Sequence, residues 1–378
     1  NGDHQGSGRV GGDGVMAKFS EVLTIVNGRN QKQVVCDDGK YPIYGSGGIM
    51  GYANDYICKA ETVVIGRKGS INKPIFVETP FWNVDTAFGL CANSEKLNPK
   101  YLYYFCEKFD FEKLNTTVTI PSLTKSNLLN VEIPLPNLEK QKQIVELLDK
   151  ITSLISLRKQ QLVKLDELVK VRFVEMFGDC KTNPKNWKTK ALEKIANVGS
   201  SKRVFVEELQ DSGIPFYRGT EIGALAEKKA VIPALFITEE HYKQLCETTG
   251  KPQKGDLLMP SICPDGRIWI VDTDEPFYFK DGRVLWVHLT SANYNSVFLL
   301  YTLKDRIMTD YASIASGTTF AELKIFALKK CKIFDVPLEL QNQFANFVER
   351  VDQQKQTVQQ SLEKLELMKK ALMQEYFG

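Results

Sequence analysis

With 378 residues, the chain is long for a single hydrophobic core, so its length predicts two domains and connecting elements. A composition of 43% hydrophobic and 25% charged residues is typical of a soluble protein, and no run of about 18 apolar residues is present to cross a membrane. The formal net charge of +3 neither indicates nucleic-acid binding nor excludes it, because a basic face can lie within a balanced total.

The first 15 residues are rich in glycine and lack the apolar stretch of a signal peptide. We predict a vector-like disordered leader over residues 1–15, with Met16 as the native start. No two of the eight cysteines are separated by two to four residues, which favours reduced thiols and, without a secretory signal, a cytoplasmic location. The three histidines are too few to indicate a metal site, so none is predicted.

The first globular region, residues 16–136, contains short apolar runs broken by Gly, Pro and Asn. Runs such as residues 62–65 are rich in β-branched side chains and predict strands. A longer amphipathic stretch, residues 99–114, predicts a helix. The region is therefore expected to be mixed α and β.

A long helix follows at residues 137–178. Pro134 and Pro136 precede it, where the fixed φ of proline suits helix entry, and Gly178 follows it as a C-terminal glycine. Apolar residues recur every 3.5 positions and predict a coiled-coil seam, with Arg158 as its polar break. The seam positions are Ile144, Leu148, Ile151, Ile155, Leu162 and Leu165.

A polar linker and a second mixed region occupy residues 179–337, with apolar runs at 257–259, 268–271 and 284–287 that predict strands. A stretch at residues 293–313 predicts a helix. A second long helix is predicted over residues 338–378, after Pro337. Its seam positions are Val348, Val351, Val358, Leu362, Leu365 and Leu372.

The two long helices are copies of one another at an offset of 200 residues, without a gap. Residues of this segment that meet an identical residue 200 positions later include Leu138, Glu139, Gln141, Gln143, Leu162, Leu165, Phe177 and Gly178. We expect the helices to pair in antiparallel fashion, which would place the domain at the start of each helix at opposite ends. The alternative is that each helix packs on its own globular neighbour.

This order of elements resembles the specificity subunit of type I restriction–modification systems. The resemblance rests on LEKQKQIVELLDKI at 138–151, MFGD at 176–179, YPIYGSGGIMGY at 41–52 and VPLELQNQFANFVE at 336–349. It covers the chain from Met16 onward. The order and spacing of these motifs carry the resemblance more than any one of them.

The resemblance implies an α+β fold. Two mixed α/β target-recognition domains are joined by two long helices that form an antiparallel coiled coil, with a pseudo-two-fold internal repeat. The implied boundaries are target-recognition domain 1 at 16–136, a central spacer helix at 137–178, a linker with target-recognition domain 2 at 179–337, and a C-terminal spacer helix at 338–378.

The resemblance also implies a DNA-binding role without catalysis. Such subunits read a split double-stranded DNA target, dock two methyltransferase subunits and are joined by restriction subunits. S-adenosylmethionine would be bound by the methyltransferase partner, and this chain would bind no cofactor. The sequence contains no P-loop, no Asn/Asp-Pro-Pro-aromatic motif and no nuclease-like carboxylate cluster, so no catalytic residue is predicted.

Candidate DNA-binding residues lie in loops that carry cations, amides or hydroxyls among small residues. Arginine can read guanine, Asn can read adenine, and hydroxyls and lysines can hold phosphates. The candidates are Arg29, Asn30, Lys32, Ser46, Arg67, Lys68, Ser70, Thr119, Lys202, Arg203, Arg218, Thr220, Arg267, Thr318 and Thr319. For each of them the alternative is a solvated turn. The alternative for the whole chain is a coiled-coil scaffold whose domains bind protein.

Overall fold

The computed structural model describes residues 15–115, 120–317 and 321–378. The chain divides into two compact units, one formed by Asn1–Gln161 with Val358–Gly378 and the other by Leu162–Thr357. Each unit contains one globular domain and one segment of each long helix. Within the described residues, no helix has both the length and the apolar character needed to cross a membrane.

In its described residues, the first domain consists of short strands, most of them consecutive along the chain, and three short α-helices. Its elements are β1 (Met16–Lys18), α1 (Phe19–Val22), β2 (Leu23–Asn27), β3 (Tyr41–Gly45), β4 (Gly48–Ala53), β5 (Thr62–Gly66), β6 (Ile75–Val77), β7 (Trp82–Asn83), β8 (Ala87–Ala92), α2 (Pro99–Lys108), α3 (Lys125–Leu129) and β9 (Glu132–Pro134).

Two main sheets form this domain. The larger has the strand order β2-β8-β5-β6 and is antiparallel throughout, and the smaller has the order β4-β3-β7, in which β3 and β7 are parallel. Every residue of β5 is buried, as expected for a central strand covered on both faces. Helix α2 packs on this sheet, and the rings of Phe19 and Phe105 meet edge to face at 5.7 Å.

The predicted helix over residues 99–114 is wrong in its last third. Helix α2 ends at Lys108, and a separate 3-10 turn occupies Phe111–Leu114. The Asp110 side chain accepts a hydrogen bond from the Glu112 N–H at 3.1 Å and another from the Asn72 side chain at 2.9 Å. This capping starts a new turn where the pattern alone predicted a continuous helix, because a short polar side chain can compete for backbone donors.

The second domain has the same plan with a different sequence. Its elements are β10 (Thr189–Ala191), β11 (Ala196–Gly199), β12 (Ile214–Tyr217), α5 (Gly219–Ala226), β13 (Phe236–Ile237), α6 (Glu239–Thr249), β14 (Leu257–Pro260), β15 (Trp269–Ile270), β16 (Tyr278–Phe279), β17 (Val284–Leu289), α7 (Ser296–Ile314), β18 (Ala315–Ser316), β19 (Glu322–Leu323), α8 (Ile325–Lys329) and β20 (Lys332–Phe334).

Strand order in the second domain repeats that of the first. The larger sheet is β11-β17-β14-β15 and the smaller is β13-β12-β16, in which β12 and β16 are parallel as β3 and β7 are. The pair β10-β20 matches the pair β1-β9, and each pair joins the start of a domain to the strand before a long helix. The internal repeat therefore includes the domains, although only the helices show it clearly in sequence.

The long helices are α4 (Leu138–Phe177) and α9 (Leu338–Phe377), each continuous over 40 residues. Gly178 follows α4 with φ of +85°, a backbone conformation that glycine adopts without a Cβ penalty. The seam positions predicted from the heptads are buried or half-buried along both helices.

In the first unit, α4 and α9 run antiparallel. Arg158 Nε donates to Ser361 Oγ at 3.3 Å, and Lys159 pairs with Glu366 at 2.8 Å. Further toward the start of α4, Leu148 shares one hydrophobic cluster with Met373. Contacts that advance along one helix while they return along the other define an antiparallel pair.

In the second unit the two helices are also antiparallel. Lys355 Nζ lies 2.6 Å from Asp166 Oδ1, and the ring of Phe173 lies 5.5 Å from that of Phe344. Phe177 contacts the same ring edge to face, also at 5.5 Å. The helices pair with each other in both units, so the predicted antiparallel coiled coil is confirmed.

A buried glutamine joins the first domain to the start of α4. Gln141 is fully buried, and its Oε1 accepts from the Asn98 N–H at 2.8 Å. Its amide nitrogen donates to the carbonyl oxygens of Lys96 and Pro136, at 3.0 and 2.8 Å. One side chain therefore satisfies three backbone groups that would otherwise be buried without partners.

The second domain repeats this connection at Gln341, which is also fully buried. Its Oε1 accepts from the Asn295 N–H at 2.9 Å, and its amide nitrogen donates to the carbonyl oxygens of Asn293 and Val336, at 3.1 and 2.9 Å. The identity of residues 141 and 341 in the repeat thus has a physical reason, because an amide both donates and accepts.

Candidate nucleic-acid interface

A turn at residues 84–87 gathers the candidate loops of the first domain. The N–H groups of Arg67 and Lys68 donate to the Thr86 carbonyl, at 2.8 and 3.2 Å. The Gly28 N–H donates to the Ala87 carbonyl at 3.3 Å, and the Val84 N–H donates to the Tyr44 carbonyl. The loops at 28–32, 45–48 and 67–70 therefore meet around this turn.

A segment near residue 121 joins the same surface. The Gly69 N–H donates to the Pro121 carbonyl at 3.1 Å, and the Leu123 N–H donates to the Arg67 carbonyl at 2.9 Å. A Cβ on Gly66 would lie 2.4 Å from the Ser70 carbonyl oxygen and 3.1 Å from Ser46 Cβ, so these loops touch. We call the loops 28–32, 45–48, 67–70, 84–87 and 120–122 the first loop surface.

Most candidate cations of the first loop surface point into solvent. Arg29, Lys32, Arg67 and Lys68 are exposed, and none of them forms an ion pair within the described part of the chain. The Arg67 guanidinium donates to the Asp85 carbonyl at 3.3 Å and lies 5.9 Å from the ring centroid of Phe88. This support orients Arg67 while leaving most of its donors available.

Asn30, Ser46 and Ser70 also lie on the first loop surface. Asn30 is exposed, and its side-chain oxygen accepts from the Lys32 N–H at 2.9 Å, a local turn contact. Ser46 and Ser70 are half-buried. Thr119 lies outside the described residues, next to the 120–122 segment.

The second domain has a matching surface built on the same backbone bonds. The Ser261 N–H donates to the Arg283 carbonyl at 2.9 Å, and the Leu323 N–H donates to the Ser261 carbonyl at 2.7 Å. The first of these bonds corresponds to the bond from the Arg67 N–H to the Thr86 carbonyl in the first domain. The second corresponds to the bond from the Leu123 N–H to the Arg67 carbonyl. Ser200 Oγ donates to the Val284 carbonyl at 2.7 Å and accepts from the Gly282 N–H.

We call residues 200–203, 217–220, 261–267, 281–284 and 322–323 the second loop surface. A Cβ on Gly219 would lie 3.2 Å from the Arg283 carbonyl oxygen, which brings the Arg218–Thr220 turn to this surface. Lys202 and Arg203 are exposed, and Arg203 lies 5.2 Å from the ring of Phe205. Thr318 and Thr319 lie outside the described residues.

Two candidate cations of the second domain are held by carboxylates. Arg218 binds Glu221 in bidentate fashion, at 2.5 and 3.2 Å, and Thr220 Oγ1 donates to the same carboxylate at 2.8 Å. Burial alone would raise the pKa of Glu221, but the Arg218 and Thr220 hydrogen bonds lower that pKa to about 2. Arg218 and Thr220 remain candidates, with fewer free donors than the sequence suggested.

Arg267 is the other carboxylate-bound cation. Its Nε lies 2.8 Å from Asp265 Oδ2, and its Nη1 lies 3.8 Å from Glu227. The Nη1 atom would also lie 3.1 Å from a Cβ on Gly223, so the guanidinium packs against α5. Gly223 lies one helical turn after Gly219 in α5, so the Arg267 guanidinium lies at the margin of the second loop surface.

Sequence reasoning missed Arg283, which lies in the turn that corresponds to residues 84–87. Its side chain is 57% exposed and pairs with Glu322. The segment Lys280-Asp281-Gly282-Arg283 has charges of both signs around a glycine, a pattern typical of a solvated turn. Its position directly before the strand at 284–289 could have indicated a site residue, because the turn at 84–87 of the first domain lies directly before β8.

Exposed apolar side chains on β4 were also missed. Ile49, Met50 and Tyr52 are exposed on this strand, which is the edge of its sheet and adjoins the 45–48 loop. Their hydrophobicity alone does not indicate this exposure, because aliphatic residues in a strand usually face a core. The flanking glycines at 47, 48 and 51 were the signal for an exposed edge.

Comparisons with known proteins show that this chain is similar to DNA specificity subunits of type I restriction enzymes. The family model described as type I restriction modification DNA specificity domain matches residues 13–167 and 184–367. A putative type I restriction enzyme specificity subunit of Haemophilus influenzae is 27% identical over 363 residues, covering 88% of this chain and 86% of that protein. The MjaVIII specificity subunit of Methanocaldococcus jannaschii is 22% identical over 386 residues, covering 96% and 82%.

Solved structures share the fold. The type I restriction–modification S subunit of M. genitalium matches with a TM-score of 0.63 and 16% identity, covering 98% of each chain. A second structure, described as the basis of complex assembly and conformational transition of the type I system, matches with a TM-score of 0.60 and 16% identity, covering 97% of this chain and 98% of that one.

Proposed function

Since this chain belongs to the family of type I restriction–modification DNA specificity domains, we propose that each of its two domains reads one half of a bipartite DNA target. The family role is DNA recognition and not catalysis. The observation that carries the proposal is the duplicated backbone of the two loop surfaces with different side chains on it. Arg67 of the first surface corresponds to Ser261 of the second, and Thr86 corresponds to Arg283. The same backbone with different side chains suits the reading of two different sequences.

The nearly neutral net charge of each domain favours DNA recognition by specific contacts over non-specific electrostatic attraction. Residues 19–136 contain 12 Lys and Arg against 12 Asp and Glu, and residues 187–337 contain 20 against 19, so the net charges are 0 and +1. Non-specific binding driven by counterion release is then weak. Two modestly binding domains in one chain gain affinity together, because binding of one raises the effective concentration of the other.

Proteins of the family act on DNA together with other subunits of the restriction–modification system. The finer proposal is that two methyltransferase subunits dock on this chain and bind S-adenosylmethionine themselves, with restriction subunits joining them. Apolar side chains of α4 support such docking. Leu147, Leu154 and Leu157 are exposed in the first unit, and Leu168, Val171 and Val174 are exposed in the second.

The candidate residues have distinct proposed roles. Arg67 and Arg283 are proposed to read base edges, because a guanidinium can bind guanine in bidentate fashion. Lys32, Lys68 and Lys202 are proposed to hold phosphates. The scaffold alternative, in which the domains bind protein, has no support from the family match.

Arg67→Ala is expected to change one half of the target and to leave the other half unaltered. Loss of a bidentate base contact costs about 1–3 kcal/mol, which weakens binding about 5- to 150-fold and relaxes specificity at one position. Lys68→Ala should weaken binding to all sequences alike and reduce the salt dependence by about one phosphate contact. The measurement is mapping of methylated sites in a host that carries each variant with its methyltransferase subunits.

Lys142→Ala, which removes an exposed cation from α4, serves as the control and should leave the target unchanged. The proposal for Arg67 would be contradicted by a methylated motif that keeps both halves after Arg67→Ala. A motif altered in both halves would contradict the assignment of one half to each domain.

A further inference from the structure

Two matched surface elements of the chain differ sharply in charge. Helix α3 with β9 and helix α8 with β20 are separated by 200 residues and share their burial pattern. Leu128 and Leu328 are both fully buried. The helices end alike, since the Asn130 N–H donates to the Asn127 carbonyl at 3.2 Å and the Lys330 N–H donates to the Ala327 carbonyl at 3.1 Å.

On this shared backbone the exposed side chains differ. Asn130 and Glu132 of the first copy correspond to Lys330 and Lys332 of the second, and all four are exposed. Residues 125–132 contain one Lys and one Glu, net 0, whereas residues 325–332 contain three Lys and no acid, net +3. The fold tolerates both sets, so the folding of this element does not require the lysines.

Two of these lysines, Lys330 and Lys332, line a groove between α8 and the second half of α7, with a volume of about 480 Å³. Arg306 forms part of its wall, with a side chain that is only 13% exposed. Its Nε donates to the Lys332 carbonyl at 3.2 Å, and its Nη1 donates to Asp310 at the same distance. Arg306 therefore neutralises the carboxylate in the groove.

An aromatic ring holds one of the lysines in place. Lys330 Nζ lies 3.7 Å from the ring centroid of Phe326, whose side chain is 68% exposed. This cation–π contact fixes an otherwise flexible ammonium. Neither Lys330 nor Lys332 forms an ion pair with any residue of the described ranges, so both charges are available to a ligand.

The groove continues from the second loop surface. Strand β19 leads into α8 directly, and its Leu323 N–H donates to Ser261 on that surface. Helix α7 ends at Ile314, just before β18, which pairs with β19. The groove is therefore connected to the second loop surface through β18, β19 and α8.

We propose that this groove binds the sugar–phosphate backbone of DNA immediately outside the half-site of the second domain. The inference rests on the proposed function. A row of ammonium groups beside a neutralised carboxylate suits successive phosphates, which repeat along the strand. The first domain, with Asn130 and Glu132 at these positions, lacks this contact, so the second domain covers more DNA.

The test exchanges the residues of the two copies. The variant Lys330→Asn with Lys332→Glu places first-copy residues on the second copy, where the shared backbone should accept them without a change in melting temperature. Binding to the methylated target motif is measured as a function of salt for the assembled methyltransferase complex. The slope of log K against log salt should fall in magnitude by about 2, corresponding to two phosphate contacts. Hydroxyl-radical protection outside the second half-site should be lost, with the motif unchanged.

A charge-matched control changes the linker after α4, as Lys181→Asn with Lys185→Glu, and should leave the slope near that of the unsubstituted chain. An unchanged slope and footprint in the groove variant would overturn the inference while the bipartite motif still stood. Loss of a methyltransferase subunit with unchanged DNA contacts would overturn it as well, because the groove would then bind an acidic protein surface. Failure of the unsubstituted complex to bind any specific motif would instead refute the proposed function.

Discussion

Replacing Leu148 with aspartate is expected to lower the free energy of unfolding by about 4 kcal/mol or more. Leu148 is fully buried and belongs to the hydrophobic cluster that joins α4, α9 and the core of the first domain. The change removes a large apolar side chain and buries a carboxylate without a partner. Urea unfolding followed by circular dichroism measures the loss.

Leu147 provides the matched control for this experiment. It is the adjacent residue on the same helix, has the same side chain and is 38% exposed. Leu147→Asp leaves the carboxylate in water and should cost less than about 1 kcal/mol. Equal effects of the two substitutions would contradict the assignment of the seam face, because burial is the main difference between them.

Gln141→Leu is expected to destabilise the chain by about 3 kcal/mol or more. The substitution keeps the volume roughly constant but leaves one N–H and two carbonyl groups buried without partners, each of which costs about 1–3 kcal/mol. Gln341→Leu should have a comparable effect through the matching contacts of the second domain. Thermal unfolding of each variant checks both expectations.

Gln143→Leu serves as the control, since residue 143 is the same amino acid on the same helix turn but is exposed. Its effect should be within about 0.5 kcal/mol. If Gln141→Leu and Gln143→Leu were equally mild, the glutamine would not be what holds the domain to the helix. Both glutamines recur in the second copy, at residues 341 and 343, so their recurrence does not show which one is structurally important. Their burial does, because Gln141 is buried and Gln143 is exposed.

The long helices could be predicted from sequence because their signals are local and periodic. Positions such as Leu148 and Leu362 recur at heptad spacing, and Gly178 marks an end through its own backbone preference. The antiparallel pairing and the repeated architecture followed from the same pattern. The domains were predictable only as mixed α and β, since the order of strands depends on contacts between residues distant in sequence.

The candidate loops were partly predictable for a similar reason. Arg67, Lys68 and Ser46 stood out as polar residues among glycines, and the structure places them together through the turn at 84–87. That turn has no cation of its own in the first domain, so nothing in its sequence marked it. The corresponding Arg283 was therefore missed. Arg218 stood out equally, but its binding to Glu221 could not be read from sequence, because only the folded α5 brings the two groups together.

We propose that the long helices α4 and α9 set the gap between the two DNA half-sites that the chain reads. The boundary between the compact units falls at matching places in both helices, after Gln161 in α4 and after Thr357 in α9. Inserting one heptad at each place adds about 10.5 Å at 1.5 Å per residue, or about three base pairs at 3.4 Å each. Each unit keeps its own helix pair.

The most direct measurement is sequencing of methylated genomic DNA from hosts that carry either the original chain or the chain with both heptads, together with the methyltransferase subunits. We predict a bipartite motif for the original chain, and the same two half-sites with a gap about three base pairs longer for the lengthened chain. A single continuous motif, or a gap that does not change, would contradict the account.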